Sequence, residues 1–151
     1  MIPAPAKRIV IDTNVCLDLF VFHDPRWARL LAALESGEVE AVTRADCRDE
    51  YRIVLHYPHL PLAADTRAVA EARFDALVKV LAPEQKPIRL PVCTDRDDQK
   101  FLELARDAGA EILVTKDKAL LKLARKTAQA GMFRIMLPEA WLKLQSAATV
   151  Q

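Results

Sequence analysis

The three glycines of this chain stand at one kind of boundary, each between a helical stretch and a short apolar stretch. The pairs are Gly37 with 39–43, Gly109 with 112–115, and Gly131 with 133–136. Glycine is favoured directly after a helix, where the backbone turns left-handed, and a short apolar stretch beyond that break is typical of a buried strand. The repeated order of helix, glycine and strand predicts crossover connections, and therefore a parallel sheet with helices on both faces.

The first strand is predicted at 8–11, and it runs directly into the polar triplet Asp12-Thr13-Asn14. Because its apolar residues do not alternate with polar ones, the strand is expected to be buried on both faces. Each side chain of the triplet can accept hydrogen bonds from free N–H groups, which predicts a helix from Val15 to Phe22. Asp12 then lies at the carboxyl end of a central strand, where open α/β sheets bind ligands.

The remaining pattern predicts further helices and one more strand. The helices are expected around Trp27, Leu30, Leu31 and Leu34, and over 44–56 and 62–81. A short strand is expected at 89–93, at a sheet edge because Pro91 cannot donate to a ladder. One layered α/β domain would account for residues 1–151.

Composition limits the functions open to the chain. Its 151 residues, 52% of them hydrophobic, suffice for one domain, and its net charge of +1 gives no general attraction to nucleic acid. A nucleic-acid role therefore needs a local basic patch. No apolar run reaches the roughly 20 residues of a membrane span, and 1–8 lacks the core of a signal peptide, so a cytoplasmic protein is expected. Cys16, Cys47 and Cys93 lack metal-ligand spacing, which predicts buried reduced thiols.

Four acids stand at positions that a simple fold does not require. Glu50 and Asp98 interrupt the apolar faces of predicted helices, where an ionised carboxylate is expensive to bury without a partner. Asp117 follows a strand that ends at Thr115, just as Asp12 follows the first strand. Since strand ends and the next helix starts share one sheet edge, these acids should meet. Clustered carboxylates repel one another, and their hard oxygen atoms select Mg²⁺ or Mn²⁺.

Each acid also has a structural interpretation when it is taken alone. Asp12, Asp98 and Asp117 stand near helix starts, where Asp is a favoured cap. Glu50 could form an ion pair with one of three nearby arginines, namely Arg44, Arg48 and Arg52. Capping explains three acids separately, but it does not explain why they should cluster with an inward Glu50.

Four segments resemble, in order and spacing, the motifs of PIN-domain nucleases, in particular the VapC-like branch of bacterial toxins from toxin–antitoxin systems. The segments are Ile11-Asp12-Thr13-Asn14; Glu50-Tyr51-Arg52-Ile53-Val54-Leu55 with Pro58; Asp95-Arg96-Asp97-Asp98 with Phe101, Leu102 and Ala105; and Val114-Thr115-Lys116-Asp117-Lys118-Ala119-Leu120-Leu121. The resemblance covers about 8–142. Two positions depart from the family pattern, since Lys116 replaces a common Gly and Arg96 a common Pro, and both add positive charge.

The resemblance implies a three-layer α/β/α PIN-like fold with strand order 3-2-1-4-5. It implies a Mg²⁺- or Mn²⁺-dependent endoribonuclease whose catalytic and metal-binding residues are Asp12, Glu50, Asp98 and Asp117. Supporting polar roles fall to Asn14, Thr115 and Asp95. The family also suggests a homodimer, an RNA substrate and an antitoxin protein as partner.

The stretch around and after Asp117 is rich in positive charge and supplies candidate contacts to RNA phosphates. Those candidates are Lys116, Lys118, Lys122 and Arg125, on a predicted basic helix. A solvated helix face is the alternative explanation for such a run.

Two other functions stay open. A phosphatase of the haloacid-dehalogenase type would use Asp12 as a covalent nucleophile, but that class has a second Asp two residues on, where this chain has Asn14. A non-catalytic binding or regulatory module could share the fold, although the intact set of four acids argues against it.

Overall fold

The computed structural model of the chain describes residues 7–149, with the side chains of 7–147. Five strands form one sheet, namely β1 (Lys7–Ile11), β2 (Val39–Arg44), β3 (Val78–Leu81), β4 (Ile112–Val114) and β5 (Arg134–Met136). All neighbouring strands are parallel, and their order β3-β2-β1-β4-β5 confirms the predicted α/β fold and strand order. Most of 1–8, where no signal peptide is expected, lies outside the described residues.

Eight α-helices are described in residues 7–149. They are α1 (Thr13–Phe20), α2 (Ala28–Ser36), α3 (Ala45–Val54), α4 (Ala64–Leu77), α5 (Gln99–Asp107), α6 (Lys118–Leu121), α7 (Ala124–Gln129) and α8 (Pro138–Thr149). Short 3₁₀ turns at Pro25–Trp27 and Arg96–Asp98 precede α2 and α5. No helix in this part of the chain is long and apolar enough to cross a membrane.

Side chains of β1 alternate between two hydrophobic cores, one on each face of the sheet. Ile9 and Ile11 belong to the core that contains Phe74 of α4 and Trp141 of α8. Val10 points into the opposite core, with Phe101 of α5. Helices therefore cover both faces, as expected for a central strand without alternating polar residues.

The predicted glycine boundaries are confirmed. Gly37, Gly109 and Gly131 have φ angles of 80°, 66° and 69°, in the left-handed region that favours glycine. Each of them ends a helical segment and leads back towards a strand. The three cysteines are also as predicted, since Cys16, Cys47 and Cys93 are buried free thiols.

The prediction of one long helix over 62–81 is wrong. Helix α4 ends at Leu77, and the next four residues form β3, which pairs with β2 so that Lys79 lies opposite Val42. Val78 and Val80 are β-branched and suit a pleated strand, so pairing with β2 overrides the helical spacing of the apolar residues.

The predicted strand at 89–93 is also wrong, because these residues form no ladder with the sheet. Pro91 has no N–H to donate to a ladder. The side-chain amide of Gln99 instead forms hydrogen bonds with backbone groups of the segment. Its Nε2 donates to the Pro91 carbonyl at 3.1 Å, and its Oε1 accepts the N–H of Cys93 at 2.7 Å. Gln99 opens α5, so the extended segment is attached beside Asp98.

Candidate metal and active site

Several elements meet in a small pocket at the carboxyl edge of the sheet. The pocket has a volume of about 150 Å³ and is lined by Asp12, Thr13, Asn14, Glu50, Val54, Asp98, Phe101 and Asp117. All four acids selected from the sequence contribute to it. Asp12 follows β1, and Asp117 follows β4. Glu50 lies on α3, and Asp98 lies at the start of α5.

Asp12 is buried, with 4% of its surface exposed, and both of its carboxylate oxygens accept hydrogen bonds. Oδ1 accepts the N–H of Val15 at 3.1 Å and caps α1, while Oδ2 accepts the hydroxyl of Thr115. Thr115 in turn accepts the N–H of Asp117 at 2.9 Å. Capping and clustering therefore coexist here, and Thr115 joins the tips of β1 and β4.

Glu50 is held by two neighbours that belong to different elements. Its Oε2 accepts the hydroxyl of Thr13, and its Oε1 accepts from Lys100 Nζ at 2.9 Å. Lys100 has no sequence signal beyond its place two residues after Asp98. Glu50 is thus in an ion pair, but with a lysine of α5.

The three arginines suggested as partners of Glu50 bind other acids. Arg44 pairs with Asp46 and Glu103, Arg48 with Asp75, and Arg52 with Glu71. The alternative in which Glu50 pairs with one of these arginines is therefore wrong.

Three carboxylates form the part of the site that is most open to a cation. One oxygen each from Asp95, Asp98 and Asp117 lies within 4.8 Å of the others. Oδ2 of Asp98 is buried and has no hydrogen-bond partner among the described residues. A buried acceptor without a partner is unfavourable, and a hard divalent cation would satisfy it. The donor set therefore fits Mg²⁺ or Mn²⁺, and it includes Asp95, for which the sequence predicted only a supporting role.

The electrostatics of the pocket indicate uncompensated negative charge. Burial raises the pKa of Asp12 to about 6, against the opposing hydrogen bonds from Thr115 and Val15. Burial, followed by the neighbouring carboxylates of Asp117 and Asp95, raises the pKa of Asp98 well above its ordinary value. A bound cation would favour the charged form of each group.

Lys116, one of the four basic residues selected from the sequence, is exposed but forms an ion pair with a buried acid. Its Nζ lies 2.6 Å from Oδ2 of Asp18 on α1, and the indole N–H of Trp27 donates to the same oxygen at 3.2 Å. This ion pair links the loop after β4 to α1.

The other three basic residues are exposed, but they do not share one helix. The predicted continuous helix is wrong, since α6 and α7 are separated at Leu123, whose N–H bonds the carbonyl of Leu120 in a tighter turn. Both leucines are buried in the same core. Lys118, Lys122 and Arg125 have no ion-pair partner in the part of the chain that the structure describes.

In a comparison with known protein families, residues 8–119 match the PIN domain. The match covers more than half of the chain, and this protein therefore belongs to the PIN domain family. PIN domains are in general metal-dependent nucleases that act on nucleic acid. No curated protein matches the chain at a significant level.

Proposed function

We propose that this protein is a Mg²⁺- or Mn²⁺-dependent endoribonuclease that hydrolyses RNA phosphodiester bonds. One observation carries the proposal: Asp12, Glu50, Asp98 and Asp117 line a single pocket in which a buried oxygen of Asp98 has no described protein partner. Buried acceptors without a hydrogen-bond partner are uncommon in folded proteins, and a bound cation would account for this one.

Within this proposal, Asp95, Asp98 and Asp117 hold the cation. Asp12 adds negative charge to the same pocket, which Glu50 also lines. When bound, a divalent cation supplies Lewis acidity towards water and the phosphodiester. Thr115 and the Val15 N–H keep Asp12 in one orientation. Asn14 is exposed at the lip, where its amide can donate to a phosphate oxygen.

Substrate would be held by the basic surface that begins beside Asp117. Segment 112–149 has only two acids, Asp117 and Glu139, against a series of lysines and arginines. An open groove of about 590 Å³ between α7, β5 and α8 is lined by Arg125, Arg134 and Lys143 together with six apolar residues. In a chain with a net charge of +1, this is the local patch that phosphate binding requires.

The finer biological assignments rest on the sequence resemblance. They are a role as the toxin of a type II toxin–antitoxin pair, inhibition by an antitoxin protein, and a homodimeric state. A cytoplasmic location and one domain over 1–151 are further proposals, which rest on composition and on the pattern of helices and strands. Light scattering on the purified chain tests the dimer, for which a mass of only 16.9 kDa at micromolar concentration would contradict it.

The activity is tested by incubating purified protein with single-stranded RNA, or with DNA of the same sequence, in Mg²⁺, Mn²⁺, Ca²⁺ or a chelator. We expect cleavage of RNA with Mg²⁺ or Mn²⁺, and little with Ca²⁺, whose looser coordination occupies the site without supporting hydrolysis. Asp98→Asn and Asp117→Asn should abolish it. RNA binding without cleavage under every condition would favour the non-catalytic module instead, and release of phosphate from a monoester would favour the phosphatase.

A further inference from the structure

We propose that Lys100 is a resident counter-ion that holds Glu50 in place and limits how tightly the acidic pocket binds a divalent cation. The inference rests on the proposed function, because it concerns the same pocket. It assigns a positioning and affinity-setting role to a residue outside the acidic set.

The contacts of Lys100 join two walls of the pocket. Its Nζ donates to Glu50 Oε1 at 2.9 Å and to the carbonyl of Asp97 at 2.5 Å. The same ammonium lies 5.3 Å from the centre of the Phe101 ring, which also lines the pocket. The side chain is 19% exposed, and that of Glu50 is 27% exposed. Lys100 thus joins α3 to the turn that carries Asp98.

The carboxylate oxygens divide into two groups by their protein partners. Both oxygens of Glu50 have donors, from Lys100 and Thr13, and both oxygens of Asp12 have donors as well. By contrast, Asp98 Oδ2 has none among the described residues, and it lies in the triad with Asp95 and Asp117. A cation entering the pocket finds its open ligands in that triad, while Glu50 is already neutralised.

Neutralising Glu50 has two opposite consequences. It relieves repulsion among the acids of the cation-free protein, which stabilises the fold. It also removes one unit of negative charge from the surroundings of a bound cation, which weakens binding. Removal of Lys100 should therefore destabilise the cation-free protein and tighten its binding of the cation. A lysine that served only to order the site would make both properties worse when it was removed.

The test measures the binding of Mn²⁺ alone by electron paramagnetic resonance, and the thermal midpoint in chelator, for a set of matched variants. Lys100→Met keeps the length of the side chain but removes its charge, and we expect Mn²⁺ to bind roughly five- to fiftyfold more tightly. The thermal unfolding midpoint of Lys100→Met, measured in chelator, should fall by a few degrees. Lys100→Arg should resemble the parent. Lys79→Met is the control, since Lys79 is an exposed lysine of β3 outside the pocket.

If Lys100 acts through its charge, the Mn²⁺ affinities of further variants should follow a defined order. Glu50→Gln leaves Lys100 uncompensated and should weaken Mn²⁺ binding, whereas the double variant Lys100→Met/Glu50→Gln restores the parent charge and should bind like the parent. A double variant as weak as Glu50→Gln would show that Glu50 is a required ligand and would overturn the proposal. So would unchanged or weaker binding by Lys100→Met. If Lys100→Met fails to fold, Lys100→Gln, which also removes the charge, takes its place and must likewise tighten Mn²⁺ binding, and unchanged or weaker binding would overturn the proposal.

These measurements separate the inference from the proposed function. Mn²⁺ affinities that follow the predicted order in a protein that cuts no RNA would support the role of Lys100 and contradict the nuclease. Cleavage of RNA by variants whose Mn²⁺ affinities do not follow that order would support the nuclease and contradict the role of Lys100.

Discussion

The hydroxyl of Thr115, at the tip of β4, donates to the carboxylate of Asp12 at the tip of β1. The two residues are 103 positions apart in the chain, and both are buried. Thr115 also accepts the N–H of Asp117, so one hydroxyl connects two acids of the candidate site. The two hydrogen bonds of Thr115 therefore hold both carboxylates in place at the ends of the neighbouring strands β1 and β4.

Replacing Thr115 by Val keeps the shape of the side chain and removes both hydrogen bonds. We expect a loss of about 1–3 kcal/mol in the free energy of unfolding, because buried polar groups lose their partners. The hydroxyl favours the charged form of Asp12, so its loss should raise the pKa of that group further. Mn²⁺ binding should then need a higher pH. Urea unfolding and Mn²⁺ titrations between pH 5 and about 8 measure the two effects.

Thr127→Val provides a matched control for that change. Thr127 is also fully buried, and its hydroxyl donates to the Ala124 carbonyl within α7, away from the acidic pocket. Its loss should affect stability and leave the pH dependence of Mn²⁺ binding unchanged. An equal shift in both variants would mean that Thr115 has no special relation to Asp12.

Replacing Asp12 by Asn should stabilise the cation-free protein at pH 7.5 while abolishing RNA cleavage. The pKa of Asp12 is about 6 in the folded chain and 3.8 by ordinary reference, so folding favours the protonated form. The contribution of Asp12 to the free energy of unfolding is therefore most favourable below pH 3.8, and it is lost as the pH rises through about 6. Between low and neutral pH, this contribution to the free energy of unfolding changes by at most about 3 kcal/mol. Urea unfolding in chelator at pH 4 and 7.5 measures it.

Asp107→Asn should behave in the opposite way. Asp107 is paired with Arg106 at 2.7 Å, and this contact holds its pKa below the ordinary value despite burial. Its charge therefore stabilises the protein at neutral pH, and the amide should reduce stability there. If Asp12→Asn also reduced stability at pH 7.5 and the protein still cut RNA at the parent rate, Asp12 would be a helix cap and no more.

Much of the sheet could be predicted because its signals are local. A glycine with positive φ and a short apolar run mark β2, β4 and β5, and the uninterrupted apolar run of β1 indicates burial on both faces. Strand β3 has no such mark. Leu77 passes directly into Val78 with no glycine or proline, and only the partner strand β2 decides that the helix ends there.

The positions of the acids could be predicted from the motifs and the sheet topology, whereas their partners could not. Asp12 and Asp117 occupy strand tips, which the topology brings to one edge. The contact of Glu50 with Lys100 depends on how α3 and α5 pack, and the sequence near Glu50 instead offers three arginines. The same applies to Lys116, whose partner Asp18 lies almost a hundred residues earlier.

Basic residues near the pocket should separate into two classes when they are replaced. Lys118 and Lys122 are exposed, and replacing both by Ala should weaken RNA binding with little effect on stability. Because each phosphate contact releases counterions, the slope of log affinity against log salt should fall by roughly 1 to 2. Fluorescence anisotropy with labelled RNA in Ca²⁺, at several salt concentrations, measures this.

Lys116→Ala should do the reverse, because it leaves the buried Asp18 with only the Trp27 N–H. We expect a lower free energy of unfolding, by about 1–3 kcal/mol, and a salt slope close to that of the parent. Lys79→Ala, on the far edge strand, should change neither property. A salt slope that falls for Lys116→Ala but not for the Lys118/Lys122 pair would place the phosphate contact at the loop after β4, and α6 would then be an ordinary solvated helix.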